Sequence, residues 1–219
     1  ADVIDINMGC PAKRVTGGWA GSALMRNLHH AEALIAATVA ATALPVTVKM
    51  RLGWDSSSIN APELARRAVE AGACAITVHG RTRQQFYKGE ADWATIRLVR
   101  QAVPHVPLIA NGDVRCLADA LACLDASGAD AVMVGRAALG RPWLPGVLSR
   151  QLRGEPAALP SLDDRLAMTL EHYQGLIGLM GEAAGVRHAR KHLAAALDDA
   201  AASGAGRACA LKHGICTET

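Results

Sequence analysis

The chain of 219 residues is 51% apolar and 20% charged, which excludes a disordered polyelectrolyte and suits one ordinary domain with an appendage. Its 23 Lys and Arg against 20 Asp and Glu leave a net charge of +3, too small to announce a nucleic-acid binder by itself. Aromatics at 3% are too few for a base-stacking β platform, and no uncharged apolar run reaches the roughly 18 residues of a membrane span.

In chain order, five short β-branched apolar runs read as strands: 3–6, 46–48, 75–78, 107–110 and 131–134. Near-continuous apolarity over so few residues marks strands buried on both faces. Helical patterns separate them. An i, i+3, i+4 rhythm covers 22–42. A helix over 62–71 has Pro62 in its first turn and Gly72 past its end, and helices over 92–103 and 117–127 follow, the latter stopped by Gly128. This alternation predicts an α/β fold of parallel strands joined by crossover helices. Five units suit either part of a (β/α)8 barrel, which needs eight, or a doubly wound sheet. After Trp143 the character changes to a Gly-, Pro- and Arg-containing linker at 150–161, then helical patterns over 163–180 and 183–202. The predicted domains are therefore 1–149, α/β, and 162–219, all-helical. Because the chain opens at Ala1 inside a strand-like run, the expectation is a piece of a longer fold.

Polar and glycine residues sit just after each strand, the end at which parallel α/β folds bind ligands. Asn111-Gly112-Asp113 and Gly135-Arg136 follow consecutive strands. Glycine allows close backbone approach to an anion and Arg136 adds a charge-assisted contact, so a phosphate site competes here with ordinary βα turns. Lys49 and His79 end neighbouring strands and would face a ligand, the alternatives being a solvated strand end and a structural histidine. Cys10, between Gly9 and Pro11, is held on a rigid turn where a thiol can act as nucleophile or proton donor; an inert cysteine is the plain alternative.

The other cysteines, Cys74, Cys116, Cys123, Cys209 and Cys216, include no CxxC pair, so neither a metal site nor a dithiol motif is expected. Cys74, Cys116 and Cys123 fit buried structural positions, and reduced thiols in a cytoplasm are the expectation. Basic residues gather at Lys13-Arg14, at Arg81, Arg83 and Lys88, and at Arg187, Arg190 and Lys191, as a phosphate-tracking surface or as solvated faces.

These stretches together resemble the bacterial tRNA-dihydrouridine synthases. The likeness lies in DINMGCPAKRVTGGWAGSALMR at 5–26, PVTVKMRLGWD at 45–55, ITVHGRTRQQFYKGEADW at 76–93, IANGDV at 109–114, VMVGRAALGRPWL at 132–144 and ARKHLAAAL at 189–197. The resemblance implies a TIM barrel holding FMN, followed by a helical domain that grips tRNA. It further implies that the first strand here is the family's fourth. The implied activity is reduction of uridine to 5,6-dihydrouridine in tRNA, with NADPH or NADH as reductant. Cys10 is implied as the general acid; Lys49 and His79 as flavin contacts; Asn111, Gly112, Asp113, Gly135 and Arg136 as holders of the FMN phosphate and ribityl chain. A monomer without metal or membrane is the accompanying expectation. The rival readings are another flavin-barrel reductase acting on free pyrimidines, and an inactive piece with residual RNA binding.

Overall fold

Five parallel strands form one sheet: β1 (Ile4–Met8), β2 (Val46–Arg51), β3 (Ala75–His79), β4 (Leu108–Asn111) and β5 (Ala131–Met133). The computed structural model describes residues 1–204, so Cys209 and Cys216 lie outside the described residues. Each strand pairs with the next in chain order, β1-β2-β3-β4-β5. A doubly wound sheet reverses its strand order at a switch point, and this one does not. The sheet is therefore a run of successive barrel-type βα units followed by a helical part.

Register explains which residues reach a site. Ile4 opposes Val46, Val48 opposes Ile76, and Ile76 opposes Leu108. Neighbours in register share a face of the pleat. Ile4, Ile6, Met8, Val46, Val48, Met50, Ile76, Val78, Leu108 and Ala110 thus line one face. The helices α2 (Leu28–Ala40), α3 (Ala61–Glu70), α4 (Trp93–Ala102) and α5 (Leu117–Ser127) supply Ile35, Leu64, Ala68, Ile96, Val99 and Ala120 to the same core, all fully buried. Each such Leu or Ile stabilises the fold by roughly 1.5–3 kcal/mol. The opposite face carries Asp5, Asn7, Thr47, Lys49, Arg51, Thr77, His79 and Asn111. β3 is buried on both faces and β4 nearly so, as their short apolar runs suggested, whereas β1 leaves Asp5 and Asn7 of its polar face exposed.

Local signals account for most helix boundaries. Pro62 sits in the first turn of α3, and the Asp92 carboxylate accepts from Thr95 N at 2.9 Å to cap α4. The predicted helix over 22–42 is two elements, a 3-10 segment (Gly21–Arg26) and α2. Asn27 leaves the helical region (φ −140°, ψ 92°) and accepts from His30 N at 3.1 Å, capping α2 instead of continuing the turn. A four-residue helix, α1 (Lys13–Thr16), follows β1.

The described residues fall into two compact units, Ala1–Val114 with Ala118–Met133, and Arg115–Leu117 with the described residues from Val134 onward. In the second, α6 (Leu144–Leu152) reaches into the predicted linker, and the hairpin of α7 (Leu162–Met180) and α8 (Glu182–Ala202) completes the helical pattern. Ser161 and Asp164 form a capping box at the start of α7. Arg165 Nη1 donates to Asp199 Oδ2 at 3.1 Å, tying α7 to α8. Among the described residues no helix is long and apolar enough to cross a membrane.

Candidate active site

The loop after β1 is built around Cys10. Asn7 Oδ1 accepts from Gly9 N at 3.0 Å and Cys10 N at 3.1 Å, an Asx turn that Pro11 then stiffens. The Cys10 carbonyl accepts from Ser22 N at 3.0 Å and from Ser22 Oγ at 2.9 Å. Gly21 permits that approach: its φ is +57°, and a Cβ there would lie 2.7 Å from the same carbonyl oxygen. The thiol of Cys10 is half-buried and free.

Arg51 holds the loop from beneath. Its side chain is among the fully buried ones, and Nε donates to Gly9 O at 2.9 Å. Nη1 donates to Thr82 O and Phe86 O, both at 2.8 Å. One guanidinium thereby fixes the Cys10 turn to the loop after β3 through charge-assisted hydrogen bonds.

Lys49, His79 and Asn111 share the polar face at the same strand ends. Asn7 is in register with Lys49, Arg51 with His79, and His79 with Asn111. Lys49 Nζ donates to Asn111 Oδ1 at 3.1 Å, and Asn111 Nδ2 donates to Met133 O at 2.8 Å. Burial, and then the Arg51 charge, push the Lys49 ammonium below its ordinary value, with Asp5 opposing. His79 is driven down to about 3, by burial first and then by the Arg51, Lys49 and Arg81 charges. It is therefore neutral at pH 7. Arg81 Nη1 lies 3.3 Å from His79 Nε2, and an arginine nitrogen can only donate. Nε2 accepts, so the proton resides on Nδ1, leaving one N–H to offer a ligand.

Arg81, 2% exposed, grips Asp113 with both terminal nitrogens: Nη1 to Oδ1 at 3.0 Å and Nη2 to Oδ2 at 2.6 Å. Asp113 Oδ2 also accepts from Ala91 N at 2.8 Å. Gly112 (φ +120°) sits against the His79 ring, where a Cβ would come within 2.9 Å of Cδ2, and its carbonyl accepts from Trp93 Nε1 at 2.8 Å. The Asn111-Gly112-Asp113 turn is thus a rigid platform beside His79. Gly135 and Arg136 belong to the second unit, where Gly135 precedes a 3-10 turn (Arg136–Ala138).

Several expectations change. Arg81 is buried and ion-paired, so it does not join the phosphate-tracking surface suggested by its basic neighbours. Of the cysteines read as structural, Cys123 is buried, but Cys74 and Cys116 are exposed. Arg187, His188 and Lys191 lie exposed on α8, as their spacing suggested. Arg51 was not singled out from the sequence. Nothing local marks it, since its partners lie 31 to 42 residues away. Among the described residues no group of three or more His, Cys, Asp or Glu could hold a metal ion.

Comparison with known proteins gives this site its context. The dihydrouridine synthase family matches residues 1–210. A probable tRNA-dihydrouridine synthase of Rhizobium leguminosarum bv. phaseoli is 58% identical over 193 residues, 88% of this chain and 59% of that protein. One from Rickettsia conorii is 50% identical over 194 residues, 88% of this chain and 58% of that protein. A tRNA-dihydrouridine synthase B of Xanthomonas axonopodis pv. citri is 47% identical over the same share of each chain, 88% and 58%. The chain thus spans about three fifths of the length of these relatives. With a match over nearly its whole length, the chain belongs to the dihydrouridine synthase family.

Proposed function

We propose that the chain carries out FMN-dependent reduction of uridine to 5,6-dihydrouridine in tRNA, with NADPH or NADH as the reductant. The observation that carries this reading is the convergence of Cys10, Lys49, His79 and Asn111 at one end of the parallel strands. The residues suit a flavin mononucleotide. Lys49 makes a single hydrogen bond, to Asn111, and so keeps donor capacity for an anionic ring or phosphate. Neutral His79 presents Nδ1–H to a ring heteroatom, and Arg51, Lys49 and Arg81 give the polar face an excess of positive charge. Asn111 and Gly112 would lie along the phosphate and ribityl chain. Asp113, committed to Arg81, would shape that loop and keep Gly112 in place.

A bound reduced flavin supplies hydride to C6 of the uracil ring. Cys10 meets the negative charge that develops on the ring by giving its thiol proton to C5, and the thiolate is reprotonated from solvent. Arg51 and Ser22 hold the Cys10 backbone so that the thiol does not wander from the base. The target uridine has to leave its stack, at a few kcal/mol. Phosphate contacts from Lys13, Arg14, Lys88 and the Arg187–His188–Lys191 face of α8 would offset that.

The test is Cys10→Ala in a protein of its relatives' full length. Flavin content should be unchanged, while dihydrouridine formation in tRNA falls by about 10²- to 10⁴-fold, the usual contribution of a general acid. Undiminished product formation by that variant would remove Cys10 from the chemistry.

A further inference from the structure

The chain has only seven aromatic residues of the Phe, Trp and Tyr type, and none of them is in the buried core. Five of them, Trp19, Trp54, Phe86, Tyr87 and Trp93, stand beyond the carboxyl ends of β1, β2 and β3. A fold that can fill its interior with aliphatic residues has placed most of its scarce rings on one rim.

Four side chains there alternate cation and ring. The Arg26 guanidinium lies 5.5 Å from the Trp19 ring centroid and 4.9 Å from that of Trp54. Arg83 lies 4.6 Å from the Trp54 centroid. Trp19 is 59% exposed and sits at φ +56°, a conformation unfavourable for any residue with a Cβ. Strain of this kind is kept where ligands are gripped. Among the described residues no carboxylate pairs with Arg26 or Arg83, and Arg83 Nε is buried without a partner.

Beside the ladder is a cavity of about 350 Å³ lined by Met25, Arg26, Trp54, Asp55, Ser58 and Asn60. Asn60 Nδ2 donates to Met25 O at 2.7 Å, but Asn60 Oδ1 is buried with no donor. Asp55, the one carboxylate in the lining, accepts from the Ser57 and Ser58 hydroxyls at 2.7 and 2.8 Å. Those hydrogen bonds hold it below the usual carboxylate range and ionised, so an anion is directed away from it and onto the arginines.

We propose that Trp19, Arg26, Trp54 and Arg83 form a stacking subsite for an unpaired RNA nucleotide. A base lies on the open face of Trp19, the adjoining phosphates meet Arg26 and Arg83, and a base N–H or ribose 2′-hydroxyl donates to Asn60 Oδ1. Rings for any base, guanidinium for phosphate and a vacant acceptor are the combination single-stranded RNA recognition uses. The inference deepens the tRNA reading above by naming where nucleotides other than the reacting uridine are held.

Binding of a fluorescent five-nucleotide single-stranded RNA to the 219-residue chain tests it without any turnover. Trp19→Gly should weaken binding about tenfold or more, the scale of one base–aromatic stack. Its unfolding midpoint should not fall, because glycine takes positive φ freely. Trp19→Phe should keep most of the affinity, and Arg26→Gln should lower the slope of log affinity against log salt by about one phosphate. The proposal is overturned if Trp19→Gly binds within twofold of the parent, if the parent does not bind the oligonucleotide, or if an acidic peptide displaces it equally well. Loss of dihydrouridine formation in tRNA with Trp19-dependent binding intact would sink the catalytic reading and leave the subsite standing; the reverse result would sink the subsite alone.

Discussion

Acidification should destabilise the sheet-bearing unit through His79, and the size of the effect follows from its surroundings. Its folded value is about 3, while an unfolded histidine titrates near 6.5. Between those values the unfolded chain binds a proton that the folded chain refuses. Stability is therefore fully present above pH 6.5 and is lost as pH falls toward 3. Each pH unit within the window costs about 1.4 kcal/mol, so lowering pH from 6.5 to 4.5 should remove about 2–3 kcal/mol. The side chain is only 8% exposed, so solvent screens little of this. That is a large fraction of the roughly 5–15 kcal/mol that holds a domain together. Urea unfolding followed by tryptophan fluorescence at pH steps from 7.5 to 4.5 measures it. His79→Gln removes the titrating group, and its stability should change less with pH than the parent's by that amount. His192, also lowered by burial, is present in both proteins and cancels. The carboxylates held low, Asp55, Glu63, Asp130 and Glu155, begin to lose their contributions only below about pH 4.5, at the foot of the measured range, and are likewise present in both proteins. Parallel pH dependences for the two proteins, or an imidazole of His79 titrating near 6.5 by NMR, would refute the neutral, Nδ1-protonated assignment.

Two further substitutions probe the scaffold of the site. Asp113→Ala strips the buried Arg81 of its partner and should cost about 3–5 kcal/mol in urea unfolding, whereas replacing both residues by apolar ones of similar volume should recover most of it. Equal losses from the single and double replacements would show that the pair is not electrostatically coupled. Gly21→Ala forces a left-handed residue with a Cβ 2.7 Å from the Cys10 carbonyl oxygen; it should cost 1 kcal/mol or more, on the order set by backbone strain, and slow dihydrouridine formation while leaving flavin content unchanged. Unaltered turnover in that variant would mean the Cys10 turn tolerates displacement.

Much of this protein was legible in one dimension because its signals are local. β-branched runs bounded by turn residues located the strands, Pro62 and Gly72 bracketed α3, and Asp92 marked the start of α4. Cys10, Lys49, His79 and the Asn111-Gly112-Asp113 turn could be picked out because, in parallel βα units, polar residues after a strand gather at one end. Strand order, which separates a barrel wall from a doubly wound sheet, was not legible in periodicity and spacing, since hydrogen-bond pairing joins residues tens of positions apart; at the sequence level only the family resemblance implied the barrel. Nor was the fate of the arginines. Arg81 read as part of a basic cluster and Arg51 drew no notice until the chain folds and surrounds them with the carbonyls of Gly9, Thr82 and Phe86 and the carboxylate of Asp113. Composition counted the aromatics but could not say that five of the seven follow the carboxyl ends of β1, β2 and β3. Residue type and spacing set propensity within a few positions, whereas burial and charge pairing depend on which distant segments the packed sheet brings into contact.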